Sequence, residues 1–259
     1  MMPINVLLVR HGQSEQNVAN DHSRKGDHSL FTTELRNKHS SKWRLSAKGI
    51  QEAQQTGKWI KDNIQFPIDR CYSSEYDRAR ETAGYLDIPN AQWYLEMYLR
   101  ERDWGGLECV PHNEQTELFS EELRKQQEQP FFWIPPNGVS LADVCLRVDR
   151  VIDTLHRECS DMNVIIVCHG EIMWAIRTRL ERIDQHHYQK LHNSKNPFDR
   201  IHNGQVLHYT RRDPFDGTLH ASLSHMRSIC PGDESLSSNN WQTIQRDTFS
   251  NQDLLDSLG

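Results

Sequence analysis

Val6-Leu7-Leu8-Val9-Arg10-His11-Gly12-Gln13-Ser14-Glu15 is the stretch from which the fold is read. The apolar run from Ile4 to Val9 has the length and character of a buried strand. It stops at a cation, an imidazole and a glycine, and a polar stretch of helical character follows. A strand that turns into a helix N-terminus makes an anion site: free backbone N–H groups point outward, and the helix dipole favours negative charge. Gly12 has no Cβ and lets a ligand approach the backbone closely. Arg10 offers a forked donor that suits phosphate. His11 can attack phosphorus with one ring nitrogen while the other is held by a hydrogen bond. Arg10-His11-Gly12 alone reads equally well as a strand end with a surface histidine, so the rest of the chain has to decide.

Outward from this stretch, strands and helices alternate. Gln13 to about Asn20 is expected to be helical, and Asp21 to Trp43, polar and without a clear period, reads as a long loop of the kind that forms a functional rim. Ser46 caps a helix carrying Ile50, Ala53, Gly57 and Ile60 at helical spacing. Ile68 to Tyr72 is the second strand, Arg78 to Leu86 a helix, and Trp93 to Leu99 a third strand. Residues from Cys109 to about 138 read as an insertion with one helix, Thr116 to Gln129. After it, Phe131-Phe132-Trp133-Ile134 is an apolar patch that suits core, a lid or a partner surface. Ser140 opens the longest helix, to Cys159, with Val144, Val148, Val151, Ile152 and Leu155 on one face. Val164 to Cys168 is a continuous apolar strand, followed by a helix from Glu171 to Glu181. Val206 to Thr210 is the last main strand, Leu219 to Met226 an added edge, and residues 230–259 a polar tail draped on the surface. The pattern predicts an α/β fold: a three-layer α/β/α sandwich with a mostly parallel central sheet in a domain spanning 1–229, with insertions at about 21–43 and 109–138. Ligands in such sheets bind beyond the carboxyl ends of the strands, where both His11 and His169 fall.

Composition narrows the function. The 259 residues suit one large domain or two small ones, and the 25% charged and 36% hydrophobic content is that of a soluble globular protein. A net charge of −6 argues against nucleic acid and against an anionic membrane surface as partners, so a phosphate site has to be a local positive pocket. No apolar run approaches the roughly 20 residues that span a bilayer. The N-terminus lacks the basic stretch and long apolar core of a signal peptide. Six dispersed cysteines without a Cys-x-x-Cys pair indicate reduced thiols and a cytoplasmic location. His186-His187 and the pair His220 and His225 lack a ligand set, so no metal and no cofactor is expected. Oligomeric state is not legible.

Five blocks decide what Arg10-His11-Gly12 is. Arg10-His11-Gly12-Gln13-Ser14-Glu15-x-Asn17 is followed by Leu45-Ser46-Ala47-Lys48-Gly49, by Tyr72-Ser73-Ser74-Glu75-Tyr76-Asp77-Arg78-Ala79-Arg80-Glu81-Thr82-Ala83, by Leu99-Arg100-Glu101-Arg102-Asp103-Trp104-Gly105, and by Val164-Ile165-Ile166-Val167-Cys168-His169-Gly170. In this order, over about residues 4 to 210, the chain resembles the histidine phosphatase superfamily, in its phosphoglycerate mutase-like branch. The resemblance implies that His11 is the nucleophile and forms a phosphohistidine. Arg10 and Arg78 would clamp the phosphate, His169 would be the second histidine, and Glu101 would be the acid that protonates the leaving group. Asn17, Gly12 and Gly170 would line the substrate. Asp103 and Glu171 remain rivals to Glu101, since another branch of the superfamily uses a carboxyl after the second histidine.

The resemblance has gaps. Relatives often read Gly-Glu-Ser where this chain has Gly138-Val139-Ser140, and mutases carry a Trp where it has Gln16. The expected activity is therefore a metal-independent phosphatase acting on a small-molecule phosphate ester. Mutase or sugar-bisphosphatase activity, and a catalytically weak phosphate-binding relative, are the alternatives.

Overall fold

The decisive stretch forms strand β1 (Asn5–Arg10), buried at every position before Arg10, in a computed structural model that describes residues 1–256. Burying Val6, Leu7, Leu8 and Val9 contributes on the order of 8 kcal/mol, enough to anchor the strand whatever the polar turn after it does. Helix α1 (Glu15–Arg24) starts on a capping box: the Asn17 amide N–H donates to Ser14 Oγ, and the Asn17 side chain accepts from the Ser14 N–H. Next come α2 (Thr33–Asn37), α3 (Ala47–Asn63), β2 (Arg70–Ser73), α4 (Asp77–Tyr85), β3 (Trp93–Leu95), α5 (His112–Leu118) and α6 (Ser120–Glu128). The chain continues through α7 (Leu141–Glu158), β4 (Asn163–Cys168), α8 (Gly170–Glu181), α9 (Gln185–Asn193), β5 (Val206–Thr210), β6 (His225–Ile229), β7 (Ser238–Thr243) and α10 (Asn251–Asp256).

The seven strands form one sheet in the order β3-β2-β4-β1-β5-β6-β7. Alternation along β1 divides the core. Val6 and Leu8 pack with residues of α7 and α8 on one face, and Leu7 and Val9 with Ile60 of α3 and Ala79 and Ala83 of α4 on the other. The chain is thus an α/β sandwich with the expected layers. The sheet itself is mixed: β3, β2, β4 and β1 run parallel, whereas β5, β6 and β7 pair antiparallel. The parallel half is built from strand–helix–strand units; the last three strands follow one another with no helix to carry a crossover.

Several local readings change. The loop expected over 21–43 contains the end of α1 and all of α2, and Phe31, Leu35 and Trp43 close a small core with Ala19 and Cys109. The single helix expected over 116–129 is two, α5 and α6, meeting at Phe119. The apolar patch divides: Trp133 is buried, while Phe132 and Ile134 stay exposed. The segment from Cys230 is not simply draped on the surface. It supplies β7 at the sheet edge, Ile244 packs on the core, and Arg246 donates to the Leu180 and Leu223 carbonyls. An edge strand of Ser, Asn, Trp, Gln and Thr, covered on little of its surface, shows no apolar alternation to read. Among the described residues no helix is long and apolar enough to cross a membrane.

Candidate active site

Three neighbouring strand ends build the site. Arg10, the last residue of β1, pairs with Cys168, the last of β4, so His11 and His169 leave the sheet side by side. Their rings lie edge to face, with centroids 5.0 Å apart. Ser74 follows β2, the strand on the other side of β4, and its Oγ lies 2.8 Å from His169 Nε2.

His11 is buried. Its Nδ1 lies 2.7 Å from the Gly12 carbonyl, an atom that can only accept, which puts the ring proton on Nδ1 and the lone pair on Nε2. Arg78 Nε points at that lone pair from 3.2 Å. Burial, then Arg78, then Arg10 hold the His11 pKa well below its usual value, so the ring is neutral at neutral pH. His169 is likewise held well below its usual value, first by burial and then by Arg78. Ser74 Oγ also accepts from the Tyr76 N–H and still has a proton and a second lone pair to offer His169 Nε2; when it gives the proton, the His169 ring proton stands on Nδ1. That Nδ1 is buried without a hydrogen-bond partner, and so is Arg10 Nε.

The two arginines are aimed by backbone carbonyls. Arg10 donates to Ile201 O at 2.6 Å and Arg78 to Ser40 O at 2.7 Å. The Arg78 guanidinium also rests over the rings of Tyr76 and Trp43. Arg10, His11 and Arg78 line a cleft of about 460 Å³ that also contains Asn17, Glu101 and Gly170. Gly170 opens α8, whose N-terminus no side chain caps, and so adds the positive end of a helix dipole to the same wall.

Of the three carboxyl candidates, Glu101 lines the cleft beside Arg10, His11 and Arg78. Burial first, and the neighbouring Glu171 next, raise its pKa. Glu171 is instead paired with the buried Arg102 at 3.0 Å. Asp103 is exposed and accepts the Gly105 N–H. Arg102 is held by the Val139 and Trp133 carbonyls and lies over the rings of Trp104 and Trp133. Val139, where relatives often have Glu, thus serves through its carbonyl and packs its side chain on the core.

Two residues sit differently from their sequence reading. The Gly12 N–H is taken by Thr82 Oγ1 at 3.1 Å, and a Cβ at Gly12 would fall on the Gly49 carbonyl oxygen. The glycine is needed for the close approach of the β1–α1 turn to α3, with no ligand invoked. The Asn17 oxygen is occupied by Ser14 and Asn203, leaving its amide N–H groups as what it can offer the cleft. Sequence reasoning missed Glu108, which lines the cleft and whose pKa burial pushes up to about 7. It lies inside the insertion, where no motif marks it. Ser74 and Thr82 were inside a quoted block but carried no assigned role.

A family model described as the Histidine phosphatase superfamily (branch 1) matches residues 6–201. A 6-phosphofructo-2-kinase/fructose-2,6-bisphosphatase of Aquarana catesbeiana is 30% identical over 171 residues, 66% of this chain and 31% of that protein, so the match spans about a third of the relative's length. A 2,3-bisphosphoglycerate-dependent phosphoglycerate mutase of Bartonella tribocorum is 30% identical over 189 residues, 69% of this chain and 82% of the relative. Among solved structures, the alpha-ribazole phosphatase from Shigella flexneri superposes with a TM-score of 0.61 at 23% identity, covering 85% of this chain and 96% of that one. At that identity the likeness speaks for the fold.

Proposed function

The chain belongs to the histidine phosphatase superfamily, and from that premise we propose that it is a metal-independent phosphomonoesterase working through a phosphohistidine at His11. The reading is carried by one observation: two buried nitrogens without partners, Arg10 Nε and, as the donor tautomer, His169 Nδ1, belong to the residue before His11 and to the ring that packs on it. A buried unpaired donor is costly, and a phosphoryl oxygen is an acceptor of the right charge for both.

In the first step His11 Nε2 attacks phosphorus and the ester P–O bond breaks. The leaving oxygen keeps the electron pair and takes the Glu101 proton. Arg10, Arg78, His169 Nδ1 and the α8 N-terminus stabilise the charge on the equatorial oxygens. In the second step water attacks the phosphohistidine and gives its proton to the Glu101 carboxylate; the P–Nε2 bond breaks, the electron pair returns to His11 Nε2, and inorganic phosphate leaves. Two arginines supply the positive charge that a metal supplies in other phosphoryl-transfer sites, so the reaction is expected to persist in EDTA. Trp104, Leu107 and Trp174, which line the cleft together with Gln16, Asn20 and Arg24, suit a small polar ester with an apolar part. Six buried unpaired cysteines suit the cytoplasm.

The test is phosphate release from a panel of phosphomonoesters, including 3-phosphoglycerate, in EDTA, with His11→Ala as the blank. Release that disappears in the variant supports the proposal. Transfer of phosphate between carbon positions without net release would make the chain a mutase, and no turnover by folded protein would leave only anion binding.

A further inference from the structure

In the linear chain His220 and His225 have no third ligand beside them; the fold brings Asp213 to both. The loop from β5 to β6 turns back at Gly217, and the Arg212–Leu219 bridge closes it. Asp213 Oδ1 accepts the N–H groups of Phe215 and Asp216, which fixes the carboxylate. Its Oδ2 then faces His220 Nε2 and His225 Nε2, each at 3.7 Å, and the three atoms all lie within 4.8 Å of one another.

We propose that Asp213, His220 and His225 form a divalent transition-metal site, of the kind that takes zinc. A distance of 3.7 Å is too long for a hydrogen bond. It is close to the separation of about 3.3 Å between two ligands that each stand about 2.0–2.1 Å from one tetrahedral zinc. His220 Nε2 is buried without a hydrogen-bond partner, although much of its ring reaches solvent. His225 is buried, and its other ring nitrogen lies 3.0 Å from Ser224 Oγ, the outer-shell support that orients a ligating imidazole. Two imidazoles and one carboxylate form a common donor set for zinc, with a fourth position open to water.

The site stands apart from the phosphoryl chemistry. Thr210, where β5 ends, pairs with Asn5 at the start of β1, whereas His11 follows the other end of that 6-residue strand. At about 3.3 Å per residue the two sites are roughly 20 Å apart. Thr243 at the end of β7 also reaches His225 Nε2, at 3.2 Å, so an ion there would staple the β5–β6 loop beside the edge strand. Its role is structural.

The full chain, freed of metal with EDTA and dialysed, is titrated with zinc by calorimetry and thermal melting, and with cobalt(II) by visible absorption. One ion per chain, a raised melting temperature and the intense visible bands of tetrahedral cobalt are expected. His220→Ala and Asp213→Asn should each weaken binding at least tenfold and leave phosphate release unchanged. His220 Nε2 has no hydrogen-bond partner and the ring is partly exposed, so its removal is expected to leave the fold in place. Absence of saturable binding, or binding undiminished in both variants, would overturn the proposal; the latter would move the ion elsewhere, for instance to His186 and His187.

Discussion

Arg78 Nε stands 3.2 Å from His11 Nε2, on the lone pair with which His11 would attack phosphorus. One guanidinium thus orients the His11 ring and helps keep it neutral, and under the proposed mechanism it would also supply charge for the phosphoryl group. Arg78→Ala is expected to lower kcat about 10²–10³-fold, the cost of losing one transition-state donor. Arg78→Lys should recover little, because a single ammonium cannot hold both His11 and the Ser40 carbonyl. The sign of the pH effect follows from the cause. Burial is the larger reason for the low His11 pKa and Arg78 the next, so removing the cation raises it. The acid limb of the kcat/KM profile should therefore move to higher pH in Arg78→Ala; a profile of unchanged shape would mean that Arg78 does not act on His11.

If Glu101 gives its proton to the leaving oxygen, its importance depends on how badly that oxygen needs one. Glu101→Gln is expected to slow hydrolysis of alkyl phosphates about 10²–10⁴-fold and to slow p-nitrophenyl phosphate far less. Its pKa is raised by burial first, so wild-type activity on alkyl esters should fall as pH climbs through the raised value and the acid ionises. Asp103→Asn, at an exposed position, should change neither substrate by more than a few fold. Equal losses on alkyl and aryl esters in Glu101→Gln would remove it from the acid role.

Gly12 answers to packing. Ala at this position would drive its Cβ onto the Gly49 backbone, which has no flexible end to yield. Gly12→Ala and Gly49→Ala are each expected to cost more than about 3 kcal/mol or to prevent folding, read as loss of soluble protein or of the cooperative urea transition. A stable Gly12→Ala protein that has lost only phosphate affinity would instead favour the ligand-approach role.

How much could be read beforehand depended on whether a residue's job was local. β1, β4 and the helices with apolar stripes were legible because burial on a sheet or helix face imposes a period. His11, His169, Arg10 and Arg78 were legible because each sits at a strand or helix end inside a block of family pattern. Glu108 was not, since what perturbs it is burial under an insertion with no motif of its own. Nor was Asp213 readable as a partner of His220 and His225, which depends on how a loop turns. β7 was missed because an edge strand needs no apolar face, and the packing demand on Gly12 was not readable because its neighbour, Gly49, belongs to another element.

Arg102 is a buried cation, and each of its three guanidinium nitrogens has an acceptor: the carbonyls of Val139 and Trp133, and the Glu171 carboxylate. Removing one member of a buried ion pair strands the other. Arg102→Ala is expected to cost about 3–5 kcal/mol in urea denaturation, and Arg102→Lys to recover only part, since an ammonium cannot match the fork or its contact with two tryptophan rings. A loss under about 1 kcal/mol would mean that the pair is solvated and contributes as a surface bridge does.

Glu108 carries a stability cost that depends on pH. Its pKa is pushed up to about 7 in the folded chain, from a reference of 4.5, chiefly by burial. Between those values the unfolded chain has already released the proton that the folded chain keeps. The unfolded state then binds fewer protons, and stability falls as pH rises from about 4.5 to about 7, with no further slope from this group above that. The full shift corresponds to somewhat over 3 kcal/mol, and partial exposure reduces the expected cost to about 2 kcal/mol. Glu108→Gln still offers an oxygen to the Trp104 N–H, which now lies 3.3 Å from the carboxylate, and carries no charge. The variant should be more stable than wild type by about 2 kcal/mol at pH 8 and no more stable at pH 4, measured by urea denaturation at both. The same difference at the two pH values would show that Glu108 does not titrate between them, and a variant less stable at pH 8 would show that its negative charge is needed against Arg78, the cation that offsets part of the burial cost.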